Sequence, residues 1–188
     1  MSDKKTQLIE ASINLFAQEG FWNTPTSRIA KHAGVATGTL FNYFESKVVL
    51  IDEVYLQLKH EWLDHITVGF PESGDIKESM EHVWFRWIDW GVHNPVRYQL
   101  LQQLKLSDLV SAETQRSQEE DLAPLRVILE SGFNQGLFAE ISVDYFASIF
   151  QACIEATIFI AASQNLKDMA LTKHIAQGFV IFWKGVTV

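Results

Sequence analysis

Hydrophobic residues recur along most of the chain at the three- and four-residue spacing of amphipathic helices, not at the two-residue alternation of surface strands. The long helices predicted from this spacing cover residues 4–19, 46–68, 75–92, 95–106, about 122–134, 142–162 and 166–183. Loops are predicted at the proline and glycine clusters between these segments. The predicted fold class is therefore all-α.

Two shorter helices joined by a tight turn are predicted between residues 24 and 47. The hydroxyls of Thr24 and Thr26 are expected to cap the first of these helices, which runs to about Ala33. Gly34 is expected to end it, because glycine adopts the left-handed conformation of a C-terminal cap without steric cost.

The second short helix, over residues 36–44, places Leu40 and Phe44 four residues apart on one buried stripe. Phe21 and Trp22, in the connector before the first short helix, are expected to fill the same small core. The polar side chains of the second helix then lie outside that core. Such a pair fits either a helix–turn–helix, whose second helix enters the major groove of DNA, or an ordinary hairpin with solvated polar side chains.

The first quarter of the chain carries, in order and without gaps, a set of residues with a known counterpart. The set comprises Ile9, Phe16, Gly20, Phe21, Thr24, Ile29, Ala30, Ala33, Gly34, Val35, Gly38, Thr39, Leu40, Phe41, Tyr43, Phe44, Ser46 and Lys47. It resembles the N-terminal domain of TetR-type transcriptional regulators. The resemblance implies a three-helix helix–turn–helix DNA-binding domain at residues 1–47 and a helical ligand-binding and dimerisation domain at residues 48–188. It also implies that the helix from residue 46 links the two domains and carries the switching movement.

The net charge of −8 would by itself argue against binding to DNA. However, residues 1–50 hold five basic and four acidic side chains, a balance of +1, so the remainder of the chain carries −9. The predicted DNA-binding domain, residues 1–47, is called the head below. Although it is nearly neutral, it can still bind phosphate if its few cations share one face. We therefore expect modest non-specific affinity, with specificity coming from base contacts and DNA shape.

DNA binding is expected from the two short helices and from the first residue of the helix that follows. The residues are Thr26, Ser27, Arg28, Thr37, Gly38, Thr39, Phe41, Asn42, Tyr43 and Lys47. Lys47 is expected to bind a phosphate, and Arg28 either a guanine edge or a phosphate. The hydroxyls and backbone N–H groups of Thr26 and Ser27 are also expected to bind phosphate. Thr37 and Thr39 are expected to contact bases, while Gly38 permits close approach of the backbone to the duplex.

Three of these positions depart from the commoner pattern of the family. Phe41 stands where a tyrosine is frequent, so one phosphate hydrogen bond is missing. Thr37 occupies a place often taken by lysine or serine, and Asn42 one often taken by histidine or tyrosine. These differences leave the binding mode in place, but they make the operator sequence unpredictable.

The second domain is rich in aromatic side chains, which line cavities for small apolar molecules when a few polar groups accompany them. The expected cavity residues are Trp84, Trp87, His93, Tyr98, Gln102, Phe133, Phe150, Gln151 and Glu155. For any one aromatic residue, the alternative is that it fills an ordinary helical core. A cavity of this composition would bind a small amphipathic or aromatic effector.

The last two predicted helices are apolar on more than one side, so each must be covered by its own core and by a second surface. We expect them to pair with the same helices of a second subunit, which the resemblance also implies. The expected interface residues are Phe146, Phe150, Ile154, Ile158, Ile175, Phe179 and Phe182. A homodimer would place its two recognition helices, the second short helix of each subunit, about one helical turn of DNA apart. It would therefore recognise a palindromic site.

Together these features predict a dimeric one-component transcriptional regulator, a repressor that a small-molecule effector releases from a double-stranded DNA operator. The alternative is a helical small-molecule carrier or protein-interaction module whose DNA-binding head is unused. The protein is expected to be cytoplasmic, since no apolar run has the length of a membrane span and no signal peptide is recognised.

No catalytic residues, cofactor or metal are expected. The single cysteine, Cys153, excludes an internal disulfide and a multi-cysteine zinc site. His60 and His65 are five residues apart, so they diverge by about 140° on a helix and cannot share a metal ion on one face. Both histidines are expected to be solvated.

Overall fold

A computed structural model describes residues 4–72, 74–115 and 123–188 of the chain. The helices, in chain order, are α1 (Lys4–Glu19), α2 (Thr26–His32), α3 (Thr37–Tyr43), α4 (Lys47–Thr67), α5 (Ile76–His93), α6 (Pro95–Lys105), α7 (Ala123–Asn134), α8 (Val143–Ser163) and α9 (Asp168–Val186). An isolated antiparallel bridge joins Phe138 to Thr187. The predicted all-α fold class is confirmed, and most helix ends lie within about two residues of their predicted positions. The predicted start of the seventh helix at residue 122 lies outside the described residues.

One compact unit contains Met1–Glu61 and Asn94–Glu119. In it α1 packs against α2 and α6, and α2 packs against α3. Side chains without any exposed surface fill its core: Leu8, Phe16, Ile29, Leu40, Phe44 and Leu50. Although α6 falls in the predicted second domain, it belongs by packing to this first unit. The boundaries of the compact units therefore differ from the predicted domain boundary at residue 47. The division of the chain at residue 47 into a DNA-binding and an effector-binding domain stays a prediction.

Arg97, in the first turn of α6, joins three helices of this unit. Its Nη2 donates to Oε2 of Glu10 in α1 at 2.7 Å, and its Nη1 donates to Oε1 of Glu61 in α4 at 3.1 Å. Farther along the chain, the backbone N–H of Ser111 donates to Oδ1 of Asp52 in α4 at 2.8 Å. Charge-assisted hydrogen bonds thus hold α6 and the segment after it to the helices of the head.

The other compact unit contains Trp62–His93 and Glu120–Val188. Here α5 packs against α7, α8 and α9, and α9 packs against α8. Trp84 of α5 is fully buried in this unit. Its indole N–H donates to the carbonyl oxygen of Ile175 at 2.9 Å, so its one polar group is satisfied.

Aromatic rings surround Trp84 closely. The ring centroids of Phe150, Phe179 and Phe182 lie 5.7, 5.9 and 5.7 Å from its own. At Gly178 an added Cβ would lie 2.9 Å from Trp84, so this glycine allows α9 to approach the indole. The centre of the unit is consequently a packed aromatic core.

The start of α2 differs from its prediction. Pro25 is the N-cap residue, and no side chain accepts a hydrogen bond from the first N–H groups of the helix. The hydroxyl of Thr24 donates instead to the carbonyl oxygen of Gly20 at 2.8 Å. Thr26 is the first helical residue and not a cap. The left-handed φ of Gly20, +77°, turns the chain so that Thr24 reaches the end of α1.

Within the described residues, α8 is the one helix long and apolar enough to cross a membrane by length and composition. A single helix of this kind is weak support for a membrane span, because core helices of soluble proteins meet the same test. Here Phe146, Ile154 and Ile158 of α8 are at least nine-tenths buried in the chain. One side of α8 therefore belongs to the core of the chain.

Candidate nucleic-acid interface and effector region

The helix α3 is held to the head by its buried stripe. Leu40 and Phe44, its two predicted core residues, have no exposed surface. The rest of the helix faces outward: Thr37, Gly38, Phe41, Asn42 and Tyr43 are exposed, and Thr39 is half-buried. Every residue of α3 assigned to DNA thus has some surface accessible to a ligand.

The turn between α2 and α3 fixes their relative direction. Gly34 has a left-handed φ of +70°, as predicted for the residue after the end of the helix. The N–H groups of Gly34 and Val35 donate to the carbonyl oxygens of Lys31 and Ala30, at 3.2 and 2.9 Å. These two hydrogen bonds satisfy the last carbonyl groups of α2. The predicted helix–turn–helix geometry is therefore present.

At the start of α2, Ser27 and Arg28 are exposed and Thr26 is half-buried. The N-terminus of this helix carries no side-chain cap, so its first N–H groups are not occupied by one. Hydroxyl and N–H donors at a helix N-terminus are suited to phosphate oxygens. The assignment of Thr26 and Ser27 to phosphates stays a prediction.

The cations of the head are less free than the sequence suggests. Nη2 of Arg28 lies 2.6 Å from Oε1 of Glu19, at the end of α1. Lys5 lies 2.9 Å from Glu53. Sequence reasoning missed both ion pairs, because neither has the three- or four-residue spacing that signals a pair on one helix.

Lys47 is the first residue of α4 and is half-buried. Burial disfavours the charged ammonium and so lowers the pKa of Lys47 below its ordinary value. A DNA phosphate beside the ammonium would oppose this effect, because an opposite charge favours the cationic form. The position and chemistry of Lys47 fit its predicted role as a phosphate ligand.

Trp22 corrects the prediction that the connector before α2 fills the core. Its side chain is 72% exposed, although its ring still packs on Phe21 with the centroids 5.9 Å apart. The core below this connector is already closed by Phe16, Ile29 and Phe44, which have no exposed surface. The indole of Trp22 thus lies outside this core.

The predicted effector residues are divided between the two compact units. Tyr98 and Gln102 belong to the first unit, and the others belong to the second: Trp84, Trp87, His93, Phe133, Phe150, Gln151 and Glu155. In the second unit, the ring of Trp87 lies 4.7 Å from that of Trp62 and 6.4 Å from that of Phe150, centroid to centroid. Trp84 and Phe150 belong to the packed core, which agrees with the alternative that an aromatic residue fills an ordinary helical core. A cavity lined by these two residues is still only a prediction.

Three polar members of this set, His93, Gln151 and Glu155, already have partners inside the chain. Nε2 of Gln151 donates to Oε1 of Glu155 at 2.6 Å, one helical turn along α8. Nδ1 of His93 lies 2.9 Å from the carbonyl oxygen of Asp89 and 3.1 Å from its carboxylate. His65 lies 2.9 Å from the same carboxylate and is not simply solvated, contrary to expectation. A ligand that used these groups would have to compete with the existing contacts.

The seven residues predicted to form the dimer interface lie on the side of the last two helices that faces the chain's own core. All seven residues are at most 7% exposed within a single chain: Phe146, Phe150, Ile154, Ile158, Ile175, Phe179 and Phe182. They pack against α5 and against each other, because they form the stripe that faces the chain's own core. The opposite side of the two helices is the one that reaches solvent.

This opposite side is itself apolar, and we refer to it as the α8–α9 face. It comprises Tyr145, Phe159 and Ile160 of α8 and Val180 and Ile181 of α9. Their exposed fractions are 57, 69, 36, 50 and 74%. The expectation that these helices are apolar on two sides is therefore correct, and the side that binds a second subunit stays a prediction.

These features define a helix–turn–helix DNA-binding protein, with a recognition helix anchored in a small core and a second, separate helical unit. Residues 8–54 match the family model described as "Bacterial regulatory proteins, tetR family". A solved structure of a tetR family transcription regulator from Shewanella sp. PV-4 is similar over 100% of both chains, with a TM-score of 0.89 and 27% identity. Residues 8–54 thus match the N-terminal domain of TetR-family transcriptional regulators, and the chain as a whole has the fold of a regulator of that family.

Two curated relatives match over limited stretches. The "Fatty acid metabolism regulator protein" of Bacillus subtilis is 29% identical over 77 residues, which cover 41% of this chain and 40% of the relative. The "HTH-type transcriptional repressor KstR2" of Rhodococcus jostii is 36% identical over 53 residues, which cover 28% of this chain and 26% of the relative. The chain thus aligns with less than half the length of each relative.

Proposed function

We propose that this chain is a homodimeric, cytoplasmic transcriptional repressor that binds a palindromic operator through α3 and leaves it when a small effector binds. The observation that carries the proposal is the surface of α3. Leu40 and Phe44 anchor this helix, while Thr37, Asn42 and Tyr43 point into solvent with groups that recognise bases and phosphates. Similarity to a relative named as a transcriptional repressor supports repression over activation.

Dimerisation through the α8–α9 face supplies the two-fold symmetry that a palindrome requires. Phe159 and Ile181, with 69 and 74% of their surface exposed, would be buried against the same face of a second copy. Large exposed apolar patches on soluble proteins commonly mark such interfaces. The seven residues first expected at the interface would then support it from behind, as core residues of each subunit.

The effector is proposed to be a small amphipathic or aromatic molecule bound in the second compact unit. That unit holds the aromatic cluster around Trp84 and Trp87, with Gln151 and Glu155 as polar groups. The name of the fatty acid metabolism regulator among the relatives supports testing acyl compounds first. Because α4 runs without interruption from Lys47 to Thr67, a displacement at its end would reach the head.

The proposal is tested by selecting bound sequences from a random duplex pool at low salt. We expect enrichment of a palindromic site, weaker binding of that site by Asn42→Ala, and unchanged binding by the matched surface variant Val127→Ala. Acyl and aromatic compounds are then screened for a change in both tryptophan fluorescence and operator affinity. Failure of the unmodified protein to bind any duplex at low salt would favour the carrier alternative.

A further inference from the structure

All six tryptophans lie in the described part of the chain, and their exposure is very unequal. Trp62, Trp84 and Trp90 are at most 3% exposed, and Trp87 and Trp183 are half-buried. Trp22 is 72% exposed. A single indole therefore stands in solvent, in the connector that leads into the helix–turn–helix.

The turn that carries Trp22 is fixed by hydrogen bonds to the end of α1. The N–H of Gly20 donates to the carbonyl oxygen of Phe16 at 2.9 Å, and the hydroxyl of Thr24 donates back to Gly20 at 2.8 Å. The side-chain amide of Asn23 donates to the carbonyl oxygen of Glu19 at 3.3 Å. Trp22 thus lies in a turn that these hydrogen bonds hold against the end of α1.

The exposed aromatic residues of the described chain fall into two groups. Trp22, Phe41 and Tyr43 belong to the helix–turn–helix region, and Tyr145 and Phe159 belong to the α8–α9 face. The second group has an assigned partner, a second copy of the chain. In the first group, Phe41 and Tyr43 belong to the surface assigned to DNA, and Trp22 is the one member without an assigned role.

The general docking mode of a helix–turn–helix would bring the segment before α2 towards the DNA backbone. In a helix–turn–helix complex the first helix of the motif crosses the backbone while the second lies in the major groove. Trp22 comes four residues before Thr26, the first residue of α2, and precedes the hydroxyls assigned to phosphate. Trp22 thus precedes the N-terminus of α2 in the sequence and is not part of α3, the helix assigned to the bases.

We propose that Trp22 is a DNA-backbone contact, which packs its ring on a deoxyribose and donates its indole N–H to a phosphate oxygen. This inference rests on the proposed function, since it extends the same DNA surface. The indole N–H is a donor only, which suits an anionic acceptor. Because tryptophan is uncharged, the contact adds affinity without releasing a counterion from the DNA. It also carries no base specificity.

The test compares Trp22→Ala and Trp22→Phe with the unmodified protein on the selected operator and on unrelated duplexes, over a series of salt concentrations. We expect Trp22→Ala to weaken binding about tenfold, the size expected for a lost hydrogen bond to a charged group, on every duplex. The slope of log affinity against log salt should not change. Trp22→Phe, which keeps the ring and loses the donor, should lose less. Val127→Ala, an exposed apolar change in the other compact unit, serves as the control.

Tryptophan fluorescence gives an independent readout. DNA should quench or shift the emission of the unmodified protein, and most of that change should be absent in Trp22→Phe. Equal thermal midpoints would establish that both variants fold. Operator binding by Trp22→Ala equal to that of the unmodified protein, or a loss confined to one sequence, would overturn the inference and leave the proposed function standing. Absence of any DNA binding by the unmodified protein would overturn both.

Discussion

The guanidinium of Arg28 is paired with the carboxylate of Glu19, with 2.6 Å between Nη2 and Oε1. The arginine side chain is 58% exposed, so solvent screens the pair and its contribution to stability is small. For DNA binding the same carboxylate matters more. It lies beside a cation assigned to phosphate or guanine, and it repels any phosphate that approaches that cation.

We therefore expect Glu19→Gln to raise the affinity for duplex DNA by about threefold at low salt, since a like-charge repulsion of under 1 kcal/mol is removed near the surface. Fluorescence anisotropy with a labelled duplex at low and high salt measures this effect, which should diminish as salt increases. Glu53→Gln is the matched control, because Glu53 also pairs with a cation of the head, Lys5. Weaker binding by Glu19→Gln would show that the carboxylate holds Arg28 in its binding position.

The sequence predicts well those features that depend on neighbouring residues. Gly34 ends α2, Pro95 begins α6, and Leu40 with Phe44 forms the buried stripe of α3. Each follows from backbone conformation or helical spacing within a few residues. For the same reason the reading surface of α3, which is the remainder of that helix, was correctly predicted to be exposed.

Features that depend on how helices pack together were not predictable in this way. Periodicity shows that α8 and α9 are apolar on two sides, but it does not say which side the chain's own core takes. Arg28 and Glu19 are nine positions apart across a loop, so their spacing gives no sign of contact. Trp22 is exposed because other side chains already fill the core, which depends on volumes and not on residue type.

Lys47→Ala should weaken binding to every duplex and reduce the slope of log affinity against log salt by about 0.9, because one phosphate neutralisation is lost. Titrations on the operator and on an unrelated duplex, at several salt concentrations, measure both quantities. Lys47→Arg should keep the slope. An unchanged slope in Lys47→Ala would contradict the assignment. The expected reduction in slope also distinguishes Lys47→Ala from Trp22→Ala, for which no change in slope is expected.

The burial of Lys47 predicts a pH dependence on the alkaline side. Because burial lowers the pKa of this ammonium in the free protein, its charge is lost at a lower pH than that of an exposed lysine. Its charged form costs folding stability below the folded-state pKa, and this cost disappears as the pH rises through that pKa. A bound phosphate favours the protonated form, so DNA binding at alkaline pH should take up protons.

Calorimetry in buffers of different ionisation enthalpy measures that proton uptake. Lys47→Arg should abolish it, since arginine stays charged throughout this range. Circular dichroism at each pH checks that the fold persists. Equal proton uptake by the unmodified protein and by Lys47→Arg would assign the linkage to another group.

The burial pattern of α8 and α9 predicts opposite results for two phenylalanines of α8. Phe159→Asp places a charge on the α8–α9 face, so we expect a folded monomer with weakened operator binding. Phe146→Ala leaves a cavity in the core of each subunit, so we expect a loss of about 3–5 kcal/mol in the free energy of unfolding. Sedimentation velocity measures the first effect and chemical denaturation the second. A dimeric Phe159→Asp variant would place the interface elsewhere.

The sequence analysis predicted no role for Arg97. In the structure this side chain donates hydrogen bonds to Glu10 and Glu61, at 2.7 and 3.1 Å. Only 26% of the side chain is exposed. Removing it leaves two carboxylates close together in a partly buried site. We therefore expect Arg97→Ala to lower the free energy of unfolding by about 1–3 kcal/mol, more than the loss of one exposed pair.

Arg126→Ala is the matched control for Arg97→Ala, because Arg126 pairs with Glu130 on the surface of α7 with 64% of its side chain exposed. Urea denaturation of both variants, and of Arg97→Ala combined with Glu10→Gln, separates the repulsion from the lost hydrogen bonds. Neutralising Glu10 should recover part of the lost stability, since it removes one of the two facing charges. Equal, small losses in Arg97→Ala and Arg126→Ala would mean that apolar packing alone holds α6 to α1.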